Sequence, residues 1–466
     1  MPLAKKMSLD TFIIAIFLSA LDIGMIAPSL TAIVGELHFP VRWAVWVIAL
    51  HLAILVLALP LMETWSARVG RQKWFICALL FFAVGSFVAG SSRSWTVLIL
   101  GRALQALGAG GIVPLLSFEI RRLSHLRKSR WRMVAHILFA FLLILVPAGS
   151  VWITIWLGWR WLFWINIAVA LILFAVSFRW GSKSYYRTSE FHIHGLLYFG
   201  IMLLCAMIAL TRLDPARGAM AWTEPAVLPW AILAVGAAIP LMMVERRAKQ
   251  PIFAANLLAD GRLFVMHGVL GLSGFSWVAI IFVPGGLVST LHRTFLIGGM
   301  FLSVIFLSAW AVIPLVRWLS SRMGYQSVLV VGFLGTSSAY LTLGLVKDPY
   351  VSVGMLFLLG AGMGCTLAAP VHELLFQILP PRKVQPSLVV TGMSRAAGAA
   401  LGLVIMGMAF YQSAPFPFAQ QGSGILPQAW QHGYETAMLM AASASVLGLI
   451  LSLMLQPSTS SNHKKS

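Results

Sequence analysis

The chain is short of charge. Only 10% of its 466 residues are Asp, Glu, Lys or Arg, against about a quarter in an ordinary soluble protein. Acid is scarcer than base, with 13 Asp and Glu against 33 Lys and Arg. So few charges cannot dress the surface of a water-soluble globule this long, and a soluble fold is excluded. Cysteine is scarce as well. Cys77, Cys205 and Cys365 all fall in apolar stretches, which rules out a disulfide framework or a cysteine-built zinc site. Paired catalytic acids and a nucleophile with its base are also missing, so the chain reads as a non-enzyme without metal or cofactor. His372-Glu373 opens like a zinc-protease HExxH, but Phe376 stands where the second histidine belongs.

What is present is apolar sequence: 60% of residues are hydrophobic and the mean hydropathy is +0.90. The pattern predicts an all-α polytopic membrane protein with fourteen spans, near 10–34, 44–62, 73–91, 95–119, 132–155, 161–179, 194–212, 226–244, 264–285, 295–316, 326–345, 350–372, 387–411 and 435–456. Lys5 and Lys6 precede the first stretch as in a signal peptide. The stretch is too long for one and ends in no small-residue cleavage site, so it is expected to stay as span one. Threading the spans puts 24 of the 33 lysines and arginines on one face and 7 on the other, with Arg102 and Arg395 inside spans. The arginine-rich face is expected to be cytoplasmic, with both termini on it, in a multi-pass protein of the cell membrane. The net charge of +20 then reflects topology, and nucleic acid is not an expected partner.

The chain also repeats itself. Arg68-Val69-Gly70-Arg71-Gln72 after span two is echoed by Arg322-Met323-Gly324-Tyr325-Gln326 after span ten, 254 residues on. Gly108-Ala109-Gly110 in span four is echoed by Gly360-Ala361-Gly362 in span twelve, 252 residues on. The simplest account is two six-helix bundles, residues 1–185 and 251–466, with a two-helix hairpin inserted at 186–250. Internal repeats of this kind are how secondary transporters are built.

Leu98 to Leu116 concentrates the chemistry. Arg102, Gln105 and Gly108 fall at i, i+3 and i+6 on one helical face, followed by Gly110, Gly111 and Pro114. An arginine within a span costs about 2.5–3.5 kcal/mol and must face protein or a water-filled cavity. The glycines allow another helix close approach. Asp22, in the middle of span one, is the acid placed at membrane depth, where a carboxylate that changes charge as a cavity opens suits proton coupling or an anchor for a cation.

These residues carry a resemblance. The chain resembles the major facilitator superfamily, in particular its fourteen-span drug:proton antiporter branch. Trp159-Arg160-Trp161-Leu162-Phe163-Trp164-Ile165-Asn166 is similar to the family's W-R-W-x-F-x-x-N-x-P, with Ala168 at the proline. Arg102 and Gln105 match the span-four motif, whose arginine the family associates with proton coupling. Arg395, Gly398 and Gly402 resemble its R-x-x-G-x-x-x-G helix, and Glu245-Arg246-Arg247 before Pro251 resembles the segment after span eight. The loop motif G-x-x-x-D-R-x-G-R-K appears with Arg68, Gly70 and Arg71 kept, Glu63 at the first glycine and Ala67 at the gating aspartate. Of the span-five G-P-x-x-G-G, Pro147 survives.

The resemblance implies the major facilitator fold and a proton-driven exporter of small amphiphilic, drug-like compounds, working as a monomer in the bilayer by alternating access. Asp22 and Arg102 would couple protons. Gln105, Gly108, Gly111, Pro147 and Arg395 would line or pack the substrate cavity, and Glu63, Arg68, Gly70 and Arg71 would form the gating loop. Two alternatives stay open: a dedicated transporter of a metabolite, siderophore or lipid, and a degenerate relative that does not transport.

Overall fold

The computed structural model describes residues 24–124, 130–177, 193–248, 261–290, 297–366, 373–374, 381–412 and 428–455, and of these the side chains of Glu63, Arg71 and 113–139, among others, fall outside the description. Asp22 and most of the expected span one also lie outside it. The described residues form helices and no β-strand. In chain order these are α1 (Leu30–Leu37), α2 (Trp46–Val69), α3 (Arg71–Gly90), α4 (Trp95–Ser124), α5 (Arg130–Trp156), α6 (Arg160–Ser177), α7 (Ile193–Arg212), α8 (Leu228–Arg247), α9 (Gly261–Val278), α10 (Val283–Thr290), α11 (Gly298–Ala311), α12 (Ile313–Leu345), α13 (Pro349–Thr366), α14 (Pro381–Gln412) and α15 (Gln428–Met454). Ten segments are long and apolar enough to cross a bilayer, and four more, Gly24–Leu37, Ala140–Trp156, Arg160–Ala175 and Gly298–Ala311, are shorter apolar helices. Together they are consistent with fourteen spans. Leucines, valines and isoleucines left exposed, such as Ile232, Val235 and Ile239 on α8, face where lipid would be.

The helices pack chiefly in two groups, α2, α3, α4 and α6 in one and α9 with α11 to α15 in the other. Helix α7 pairs with α8 and lies against both α2 and α14. Trp46 Nε1 ties it to the first group by donating to Thr211 Oγ1 at 2.8 Å.

The repeat is visible atom by atom. The stretches at 63–72 and 317–325, expected as loops, are helical up to one residue each. Gly70 (φ 101, ψ 136) joins α2 directly to α3, and Gly324 (φ 81, ψ 160) breaks α12 into two helices at the equivalent place. Both backbones lie where an L side chain is strained. Just beyond each glycine, a glutamine caps the last helix of its own half. Gln72 Nε2 donates to the Ser177 carbonyl at 3.0 Å, and Gln326 Nε2 donates to the Ser452 and Leu453 carbonyls at 3.0 and 3.1 Å. Carbonyls in a last helical turn lack the usual amide partner; that of Ser452 also accepts from Leu455 N at 3.3 Å. Gln72→Leu and Gln326→Leu are each expected to lower stability by about 1 kcal/mol, read as matched drops in the thermal unfolding midpoint of the detergent-purified protein. A drop in one half only would break the equivalence.

The glycine echo needs a correction. A Cβ at Gly108 would lie 2.5 Å from Phe82 N and 2.6 Å from Ala78 O, whereas one at Gly362 would lie 2.8 Å from both Thr336 N and Gly332 O. Gly110 meets Ala58, and Gly364 meets Val312. Each of these equivalences (108 to 362, 78 to 332, 82 to 336, 110 to 364, 58 to 312) spans 254 residues, the offset of the loop echo. The true partner of Gly108-Ala109-Gly110 is therefore Gly362-Met363-Gly364, not the Gly360-Ala361-Gly362 of the 252 offset. Spans two to four and ten to twelve keep one register throughout.

Two seams join helices of the first six spans to helices of the last six, α2 with α14 and α5 with α11. In the first, Gly407 takes Val45, and Leu59 lies over Gly392. In the second, Gly299 is pressed onto the carbonyl of Pro147, and Ser303 Oγ donates to the Ile144 carbonyl at 2.7 Å. Val45 and Gly299 are themselves 254 residues apart, so the two seams use equivalent positions of spans two and ten.

Candidate functional site

Arg102 is fully buried in α4. Its Nε donates to the Val47 carbonyl in the first turn of α2 at 2.8 Å, and its Nη1 donates to Gln105 Oε1 at 2.7 Å. Gln105 Nε2 in turn donates to Ser86 Oγ at 2.8 Å, and Ser86 donates to the Phe82 carbonyl at 2.7 Å. The Phe163 ring of α6 lies under the guanidinium at 5.9 Å. Arg102 and Gln105, on one helical face, are thus bonded within a single turn, and the chain of bonds crosses α2, α4 and α3. Buried His51 lies one turn along α2 from Val47. Gly108 and Gly111 continue α4 against α3, at Phe82 and Ala78. They act as packing positions that hold α4 close enough for the network to form.

The second half answers this network with hydrocarbon. At the 254 offset the equivalents of Val47, His51, Arg102 and Gln105 are Phe301, Ile305, Leu356 and Leu359, all buried. The equivalent of Ser86 is Tyr340, whose hydroxyl turns to α9 and donates to the Ser276 carbonyl at 2.7 Å. The backbone is duplicated and the buried charge is not. The second half carries its own polar point elsewhere. Arg395 of α14 extends Nη2 toward the Thr366 carbonyl of α13 at 3.5 Å, and the neighbouring Ser394 Oγ meets His267 Nδ1 of α9 at 3.0 Å.

Other expected residues are placed as follows. Pro147 is inside α5 at the second seam, its carbonyl shared by Gly299 and by the Ser150 hydroxyl, which donates to it at 2.8 Å. Arg68 is exposed at the end of α2, and Gly70 forms the α2–α3 joint. The side chains of Glu63 and Arg71, and the whole of Asp22, fall outside the described residues. The W-R-W segment shows a use the sequence did not disclose. Trp159 Nε1 donates to Glu36 Oε2 at 2.6 Å, Arg160 pairs with the other oxygen of Glu36, and Arg160 Nη2 donates to the Ser92 carbonyl at 2.8 Å. Glu36, at the end of α1, is thereby clamped to the α3–α4 turn and the start of α6. No group of three or more His, Cys, Asp or Glu able to hold a metal occurs among the described residues.

The sequence profile described as "Major Facilitator Superfamily" matches residues 12–291, more than half of the chain. The chain belongs to the Major Facilitator Superfamily. Relatives within the superfamily include an uncharacterised MFS-type transporter of Bacillus subtilis, YfiU, 28% identical over 82% of this chain and 75% of the relative. The multidrug transporter MdtP of the same organism is 25% identical over 86% and 75%, and a multidrug resistance protein B homolog of Mycobacterium tuberculosis is 23% identical over 84% and 74%. Solved transporter structures share the fold. A peptide transporter POT in complex with sulfate superposes with a TM-score of 0.64 at 15% identity, covering 96% of this chain and 94% of that one. The nucleoside transporter NupG superposes with a TM-score of 0.60 at 14% identity, covering 96% and 99%. This superfamily member is therefore a multi-pass membrane transporter of a small-molecule substrate, and not an enzyme.

Proposed function

We propose that the transporter exports small amphiphilic compounds in exchange for protons, by alternating access. The observation that carries this reading is the fully buried guanidinium of Arg102. A membrane protein retains such a group where charge has to be handled, and here it sits in one half of a duplicated frame whose other half does without it. In this reading Asp22 takes up the proton, and Arg102, held by Val47 and Gln105, sets the charge balance it meets. Proton and substrate then bias the same equilibrium between two bundle arrangements. The two seams are the surfaces that must part and re-form, and each sets a glycine on one side (Gly407, Gly299), which suits repeated separation. The arginine-rich face is taken as cytoplasmic. Relatives named as multidrug transporters support export of lipophilic compounds.

The test is substrate-driven proton movement in proteoliposomes under an imposed pH gradient, with lipophilic cations, neutral drugs and organic acids as the panel. Wild type is expected to give a signal that Asp22→Asn removes. A signal that survives Asp22→Asn moves the coupling role elsewhere, and silence from folded wild-type protein across the panel overturns antiport.

A further inference from the structure

We propose that Arg395 is the docking point for an acidic group on the transported compound, so that the cargo is an amphiphilic anion. This rests on the transporter reading and narrows its substrate.

Arg395 lies six residues inside the apolar segment Val389–Tyr411. Its own carbonyl is pressed onto Gly274 of α9, which fixes that turn of α14 and the base of the side chain. Among the described residues the guanidinium has one acceptor in reach, the Thr366 carbonyl, at the limiting distance of 3.5 Å. Its Nε is out of solvent contact and has no partner among the described residues. Arg102 bonds both Val47 and Gln105 at short distance; Arg395 has nothing comparable.

The spans that surround Arg395 in its own half bring no counter-charge. Spans nine to thirteen contain no Asp or Glu. Of the nearest acids, Glu373 is exposed beyond α13, and Glu435 is engaged by Lys347 at 3.2 Å and His432 at 3.4 Å. A guanidinium fork at membrane depth without a carboxylate is an acceptor-seeking group. A second partnerless nitrogen, His267 Nε2, belongs to the ring that contacts Ser394, the residue before Arg395. Around these two polar points the packing is hydrocarbon: Met266, Leu270, Leu374 and Val390 form one buried cluster. A ligand that satisfies the fork and lies along such walls has an anionic head and an apolar body.

The experiment uses the full-length protein in detergent at pH 7.5, with binding read by quenching of its tryptophans. The probes are 1-naphthylacetate against 1-naphthylacetamide, and decanoate against decanamide. Within each pair the apolar part is constant and only the charge changes. The acids are expected to bind at least about tenfold tighter than the amides, Arg395→Gln to erase the difference, and Arg395→Lys to keep part of it. Equal affinities in wild type, or no binding of either acid, overturn the proposal. So does a preference that survives Arg395→Gln. Should that variant fail to purify as a monodisperse protein, Arg395→Lys decides: an undiminished acid preference overturns the role of the fork. Acid-selective binding without substrate-driven proton movement would support Arg395 and remove antiport. Proton movement with cations or neutral drugs and no acid preference would do the reverse.

Discussion

Arg102→Leu with Gln105→Leu is expected to give a protein that folds as well as wild type and no longer couples protons. The second half of the chain already shows the outcome for packing, since Leu356 and Leu359 fill the equivalent places and are fully buried. Replacing a buried polar network by hydrocarbon of similar volume is commonly neutral or stabilising by about 1–4 kcal/mol, whereas removing one member alone strands the others. The double substitution is therefore the informative one, and Arg102→Leu alone is the control expected to destabilise. Substrate-driven proton movement should fall by about 100-fold or more, while the thermal midpoint holds or rises. A lowered midpoint would show that the network serves stability. A retained proton signal would show that coupling lies elsewhere.

Gly299→Val is expected to abolish transport by a different route, with little loss of stability. Even a single Cβ at Gly299 would collide with the carbonyl of Pro147 and lie 2.9 Å from Ala148 Cα. Backbone on both sides leaves no soft atom to give way, unlike the first seam, where Gly407 meets the side chain of Val45 at 2.6 Å. The added isopropyl group cannot be absorbed, and overpacking of this kind costs about 1–3 kcal/mol wherever the contact is made. Because the cost falls on one arrangement of the bundles, the population moves to arrangements in which α5 and α11 are apart. Spin labels on the exposed positions Ser94 and Tyr350, one in each half, should report a longer distance in Gly299→Val than in wild type, and transport should stop. An unchanged distance with full transport would show that the α5–α11 seam does not need to close this tightly.

The class of the protein was legible because it depends on composition summed over about twenty residues at a time, which no single contact can override, and the described helices are consistent with the span count read the same way. That Arg102 and Gln105 share a face was legible because it depends only on spacing within one helical turn. The other end of that network was not, since Val47 contributes a backbone carbonyl and Ser86 one hydroxyl among many. The glycine register was misread for a specific reason. Gly360, Gly362 and Gly364 recur every second residue, so two alignments look alike in sequence, and only their neighbours, Gly332 and Thr336 against Ala78 and Phe82, choose between them. Gln72 and Gln326 stood in the repeated motif, but the carbonyls they cap lie 105 and 126 residues away. Glu36 carried no signal at all until Trp159 and Arg160 were seen to close on it. Contacts between distant segments were thus the part that periodicity could not reach.

The position of α7 bears on how a lipid-dissolved solute would arrive. Helix α7 lies against both partners of the α2–α14 seam, and Gly200 brings its backbone down onto Leu57. The hairpin covers the seam there with α7, while α8 keeps Ile232, Val235 and Ile239 exposed on its outer face. Under the proposed function, partitioning into the bilayer followed by sideways diffusion leads to an asymmetric doorway. One flank is shuttered by α7, and traffic is left to the flank where Pro147 and Gly299 meet. Two-fold likeness in the frame would then coexist with one-sided access from the membrane.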